Sequence, residues 1–283
     1  VTVNAHNGVT SELNSYIYWS GPDGMETSRT DLPTIGAHDV VAMDINRDGR
    51  LDLLFPSAWV DAHNPSKPRS MHVYIQGEDR SFRDEGENYD IIATGVIGIA
   101  TGDLNNDGFL DIVLGSYRSG DRGYLDTESK IYWGTEEGIS TENPFTLPTY
   151  GTRQVVLEDL NSDGSKDIIF CGGGQVRIYW NNEGTFKIEN PLIFKVKGLS
   201  TVFTTEAVRV DVSDVDADDI PDLIIATAEG VEIRSGDNLE TVKSLIDVKN
   251  ARWITAADLD GDKLPELIIS KQFDGNDYEI QSP

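Results

Sequence analysis

Apolar residues in this chain fall in short consecutive runs, not on a helical or strictly alternating spacing. LDLLF (51–55), DIVL (111–114), DIIF (167–170), DLII (222–225) and ELII (266–269) are apolar at successive positions beside an acid. A strand that is apolar on both faces is covered on both faces, so these five segments predict inner strands held between neighbouring sheets. Each closes a longer unit of strand, acidic loop and strand: VVAMDINRDGRLDLLF (40–55), GIATGDLNNDGFLDIVL (98–114), VVLEDLNSDGSKDIIF (155–170), VDVSDVDADDIPDLII (210–225) and ITAADLDGDKLPELII (254–269). Between the units, NSYIYWSGPDG (14–24), SMHVYIQGEDR (70–80), SKIYWGTEEG (129–138) and QVRIYWNNEGTF (175–186) each read as an apolar-aromatic strand followed by a polar turn. A weaker fourth strand follows in TDLPT (30–34) and PFTLPT (144–149). Few windows carry the i, i+3, i+4, i+7 pattern, so helix is expected to be nearly absent.

The first aspartates of the loops are Asp44, Asp103, Asp159, Asp214 and Asp258, separated by 59, 56, 55 and 44 residues. A period of about 50 without intervening helices predicts an all-β fold, a β-propeller of four-stranded blades A-B-C-D. The acidic loop joins A to B. Residues 1–5 resemble the end of a strand B, and DYEIQSP (277–283) the start of a strand C. The reading is therefore one propeller domain over residues 1–283, with partial units at both ends and five or six blades. A closed ring is favoured because open sheet edges invite aggregation; the partial units also fit the cut edges of a longer parent. The opening VTVNAHNGVT has no charged start and no apolar stretch, as expected of a processed protein or an excised domain.

Asp and Glu number 49 against 23 Lys and Arg, a net charge of −26. Such a surface repels nucleic-acid phosphates and anionic membranes and attracts cations. No apolar run approaches the roughly 18 residues of a membrane span, so neither nucleic acid nor direct membrane insertion is expected. The single cysteine, Cys171, excludes an internal disulfide framework and reads as a buried small residue.

The loops share the pattern D-x-[DN]-x-D-x-x-x-[DE]. Positions one, three, five and nine are Asp44, Asn46, Asp48 and Asp52 in the first copy, Asp103, Asn105, Asp107 and Asp111 in the second, and Asp159, Asn161, Asp163 and Asp167 in the third. Asp214, Asp216, Asp218, Asp222 and then Asp258, Asp260, Asp262, Glu266 complete the set. Hard oxygens at alternate positions of a tight loop suit Ca²⁺, with about six to eight oxygen ligands. The carbonyl at position seven (Arg50, Phe109, Ser165, Ile220 or Leu264) would add one. Up to five ions are expected. An EF-hand is excluded, because its twelfth position, here Phe55, Leu114, Phe170, Ile225 and Ile269, carries no carboxylate. Position six is Asp219 and Lys263 in the last two copies, where the first three have Gly, so these are the weakest sites. Ordinary Asp/Asn/Gly turns share this composition; five copies with acids fixed at positions one, five and nine favour metal.

These five motifs resemble the FG-GAP/VCBS repeats of integrin-α-like calcium-binding propellers, and NNEGTF (181–186) is similar to the turn after strand C in VCBS-type units. The resemblance covers essentially the whole chain. It implies one Ca²⁺ per A–B loop, a toroid of blades and an extracellular or cell-surface setting. The Phe-Gly and Gly-Ala-Pro signatures of the integrin form are not visible.

In a propeller the calcium loops occupy one face and the D–A and B–C loops the other. The opposite face gathers His38, Trp59, His63, Tyr117, Arg118, Arg153, Arg209, Arg252 and Trp253. Arginine beside an aromatic ring is a platform for anions or sugars, so a glycan or an extracellular protein is the expected partner. The competing view has the arginines neutralising carboxylates such as Asp39 and Trp253 packed within its strand. Function then reads as a calcium-stabilised recognition or adhesion module. Its rivals are a lyase of an acidic polysaccharide, with His38, His63, Tyr117 and Arg153 as base and charge-neutralising groups, and a purely structural propeller of a larger adhesin. No P-loop, GxSxG, HExxH or CxxC is present.

Overall fold

The computed structural model describes residues 1–4, 9–57, 70–93, 95–118, 126–196, 209–249 and 251–271. Their regular secondary structure is almost wholly β-strand, and the one helix among them is the single turn α1 (Gly86–Tyr89). The chain clusters into two compact units, Val1–Asp103 with Asp107–Thr152, and Leu104–Asn106 with Arg153–Pro283.

In the first unit, β1 (Glu12–Gly21) and β2 (Gly24–Ile35) form a long hairpin. Thr2 bridges to Tyr16, so the N-terminal residues lie where a strand B is expected. Strands β3 (Val41–Met43), β4 (Asp52–Phe55), β5 (His72–Gln76) and β6 (Phe82–Asp84) form a four-stranded sheet in sequence order. The next sheet runs β7 (Val96–Gly102), β8 (Asp111–Ser116), β9 (Asp126–Tyr132) and β12 (Phe145–Tyr150). The small hairpin β10 (Gly134–Thr135) and β11 (Gly138–Ile139) lies between its last two strands.

The second unit repeats the plan. Strands β13 (Thr152–Glu158), β14 (Asp167–Gly172), β15 (Gln175–Tyr179) and β18 (Leu192–Lys195) make one sheet, with the hairpin β16 (Asn181–Asn182) and β17 (Thr185–Phe186) before its last strand. Strands β19 (Arg209–Ser213), β20 (Asp222–Ala226), β21 (Val231–Arg234) and β22 (Val242–Ile246) make the next. Strands β23 (Ala251–Ala257) and β24 (Glu266–Lys271) pair as a two-stranded sheet. The expected third strand of that sheet, 277–283, lies outside the described residues.

Four of the five consecutive apolar runs behave as their pattern requires; the fifth, in β24, does not, because there only Ile269 is buried and Ile268 is half exposed in a two-stranded sheet. Every residue of β4, β8, β14 and β20 is buried. Because side chains alternate across a strand, one strand feeds two cores. Leu53 and Phe55 join the cluster around Ile17 and Leu32, whereas Leu54 joins the one around Val73 and Ile112. Likewise Leu223 and Ile225 pack with Ile169 and Ile178, and Ile224 and Ala226 with Ile254 and Ile269. Burial of each such side chain contributes about 1.5–3 kcal/mol.

Adjacent first strands are also tied by side chains. Asp39 accepts the Ile99 N–H at 3.2 Å. Gln154 accepts the N–H of Val210 and donates to its carbonyl, both at 3.0 Å. Asp211 accepts the Ala256 N–H at 2.6 Å. Trp19 and Trp180 pack as partly buried members of the cores and Trp133 sits edge-on to Phe145. Cys171 is fully buried, and burial pushes its thiol pKa far up.

Leu54→Ala is therefore expected to cost about 2–5 kcal/mol in urea unfolding, whereas Ile268→Ala, on a half-exposed residue of β24, costs under about 1 kcal/mol. Equal losses would contradict the two-sided burial of β4.

Candidate metal centres

All five acidic loops fold alike, and the hydrogen bonds show why the carboxylates recur. The position-one carboxylate spans the turn. Asp44 accepts the N–H groups of Asp48 and Gly49 at 3.0 and 2.8 Å. Asp103, Asp159 and Asp214 accept the same pair in their loops. In the fifth loop Asp258 accepts from Gly261 and Lys263. The position-five carboxylate accepts the N–H of position seven in every copy, at 2.8–2.9 Å.

This curl requires left-handed backbone at positions four and six. Position four is Arg47, Asn106, Ser162, Ala217 and Gly261, all with φ between 57° and 85°. Position six is Gly49, Gly108 and Gly164 at 86–88°, then Asp219 at 64° and Lys263 at 77°. The last two loops thus keep the same turn without glycine, at a cost of roughly 1–2 kcal/mol each. A Cβ at Gly49, Gly108 or Gly164 would meet nothing within 4 Å, so backbone conformation alone favours glycine there.

Position nine opens the central strand. Asp52, Asp111, Asp167 and Asp222 are fully buried. One oxygen accepts the N–H of position two, from Ile45, Leu160 and Val215 to Asp52, Asp167 and Asp222. Glu266 takes the equivalent bond from Leu259 at 2.7 Å. The other oxygen accepts an N–H at the end of the third strand: Gln76, Gly134, Asn181 and Gly236, at 2.7–3.0 Å. This acid therefore ties loop, second strand and third strand together.

Burial pushes the pKa of Asp167 up to about 6, against the lowering effect of its two N–H donors and with Asp163 and Asp159 adding repulsion. Burial likewise raises Asp52. In loop four one carboxylate oxygen each of Asp214, Asp216 and Asp218 lie within 4.8 Å of one another, and Asp258, Asp260 and Asp262 do the same in loop five. Loops one to three place an amide at position three, and in loops one and three Asn46 and Asn161 donate to Asp48 and Asp163 at 3.0 Å. The donors are all oxygens, crowded and mutually repelling, and a hard divalent cation fits that set.

The residues expected on the opposite face fall into separate sets. His38 is exposed, and the Arg118 guanidinium lies 5.2 Å over the Tyr117 ring in the first unit. In the second unit Arg209 lies 4.7 Å over the ring of Trp253, itself half exposed, and donates to the Arg153 carbonyl at 3.2 Å. Arg252 belongs to β23. Trp59 and His63 lie outside the described residues. Three features have no counterpart in the sequence reading. Arg47 stacks 4.2 Å over Phe109 while donating to the carbonyls of Thr135 and Glu136. His72 pairs with Asp84 at 2.5 Å. Lys243 enters loop four. The first and last are contacts over 27 residues or more, which no local motif signals.

The raised carboxyls fix a pH dependence for metal-free protein. A carboxyl raised in the fold favours the protonated folded form, so its contribution is full below the ordinary value near 3.8 and is lost as pH rises through about 6. With chelator present, the thermal midpoint should fall between about pH 4 and a little above pH 6, and Asp167→Asn should flatten that fall. An unchanged slope in the variant would contradict the buried, raised carboxyl.

Two family models match the chain. The FG-GAP-like repeat model matches residues 159–225, and the FG-GAP repeat model residues 96–127. No curated protein matches the sequence. Among solved structures, BBS1N in complex with ARL6DN is similar over 90% of this chain and 68% of that one, at 11% identity and a TM-score of 0.53. The Tc holotoxin pore of Photorhabdus luminescens aligns with 90% of this chain at 17% identity and a TM-score of 0.41. A biofilm matrix protein of V. cholerae aligns with 75% at 15% identity and 0.36. This chain spans 12% and 39% of those last two. At these identities the first of the three likenesses speaks to fold alone, and it agrees with the all-β sheets. The repeat matches fall on the second to fourth acidic loops, so this stretch of the chain carries FG-GAP-type repeats.

Proposed function

We propose that this chain is a calcium-stabilised recognition module of the cell surface or the extracellular space, its sheets serving as blades of a β-propeller. The observation that carries the reading is the convergence of hard oxygens in loops of one geometry, with buried position-nine acids whose charge is opposed by burial. The side chains at positions one, three, five and nine would hold the ion with the carbonyl of position seven. When bound, calcium supplies the positive charge that lets these carboxylates ionise together. The chain's own part is structural: position nine then locks the loop to the third strand. Millimolar calcium outside cells would keep weak sites filled, and FG-GAP repeats suit that setting. No helix among the described residues is long and apolar enough to cross a membrane.

For the partner, the best-supported surface is the Arg209–Trp253 stack beside Arg153. An exposed indole backed by a guanidinium offers a flat apolar face with a charged edge, suited to a sugar ring bearing a carboxylate or to an acidic protein loop.

Calorimetry in calcium and in EDTA tests the metal. A site filled at 100 times its Kd adds about 2.7 kcal/mol, so chelation should lower the midpoint by many degrees, and an unchanged transition would refute calcium. For the partner, a glycan array should show acidic glycans bound by the parent and lost in Trp253→Ala and Arg209→Ala. Equal binding by all three proteins would remove this surface from consideration.

A further inference from the structure

Loop four carries a cation of its own. Lys243 in β22 donates to Asp216, and its ammonium lies 3.7 Å from the Asp222 carboxylate. These are positions three and nine, two of the four side-chain donors that a calcium ion would need. The geometry is set by the sheet. In the pairing of β21 with β22, Ile233 faces Ser244 and Arg234 faces Val242, which leaves Lys243 as the extra residue of a β-bulge. A bulge re-aims a side chain, and here it turns the lysine off its strand toward the acidic loop.

The fifth loop is the internal comparison. It also has acids at positions one, three, five and nine, with Glu266 in place of an aspartate at the last, and its position six is also not glycine. Among the described residues, no lysine or arginine pairs with Asp258, Asp260, Asp262 or Glu266. A divalent ion placed in loop four would sit against an ammonium that already occupies two of its donors. One placed in loop five would meet only oxygens.

We propose that the Lys243 ammonium takes the place of the divalent ion in loop four, so that this repeat is held without calcium while loop five depends on it. The inference rests on the calcium reading above and assigns the repeats different roles: loop four is a permanently closed tie, and its neighbours respond to calcium.

Equilibrium dialysis with radioactive calcium on the full chain tests it, with far-UV circular dichroism confirming the fold of each variant. Lys243→Met and Lys243→Gln should each bind about one more ion per chain than the wild type. Asp218→Asn in the wild-type background should leave the stoichiometry unchanged, and Asp262→Asn should lower it by about one. Loss of an ion in Asp218→Asn overturns the proposal while leaving the calcium reading intact, and so does a lysine variant that binds no more than a calcium-binding wild type. Absence of calcium from the wild type and the lysine variants alike removes both.

Discussion

A buried carboxylate at the first residue of each central strand is the constraint from which the rest of the structure follows. Asp52, Asp111, Asp167 and Asp222 have no exposed surface, yet each sits at the junction of a loop and two strands. An acid there is tolerable only because backbone N–H groups surround it. It satisfies the donor at the start of the loop and the donor at the end of the third strand, two groups that no ladder bond reaches. The residual strain appears in the pKa of Asp167, which hydrogen bonding alone does not return to the ordinary range. On the calcium reading proposed above, a cation beside positions one, three and five would relieve it, and the same residue would link sheet geometry to metal binding.

The apolar strands impose a second condition. Because β4 and β20 each feed two cores, no sheet of this kind is complete alone; it needs a neighbour on each face. The polar ties between first strands, Asp39 to Ile99, Gln154 to Val210 and Asp211 to Ala256, set the register of that stacking. They also explain why polar residues occur in strands that otherwise read as apolar. Arg209 belongs to the same row, and its stack on Trp253 adds a cation–π tie that leaves much of the ring open to solvent. Packing and recognition are therefore compatible roles for that pair.

What was legible in the sequence was whatever repeats locally. The doubly apolar runs marked the central strands, and the Asp spacing marked the loops, because both patterns are written within about sixteen consecutive residues. The left-handed position four was hidden, since Arg47, Asn106, Ser162 and Ala217 share no side-chain chemistry, only a backbone conformation. Position six was visible as glycine in three copies, and Asp219 and Lys263 show that the loop geometry overrides residue preference there. Position nine read only as a ligand; its tie to the third strand depends on a partner 14 to 24 residues away. Lys243 had no signal at all, because its role depends on a bulge that redirects one side chain.

The central claim is that the acidic loops are cation cages. Long-wavelength diffraction from crystals grown in calcium tests it most directly, through anomalous peaks that locate the ion itself. The account predicts peaks about 2.4 Å from the carboxylates of Asp44, Asp103, Asp159 and Asp258, with the side chain of Lys243 in the corresponding place in loop four. Loops of unchanged geometry with no anomalous density beside those aspartates would contradict it.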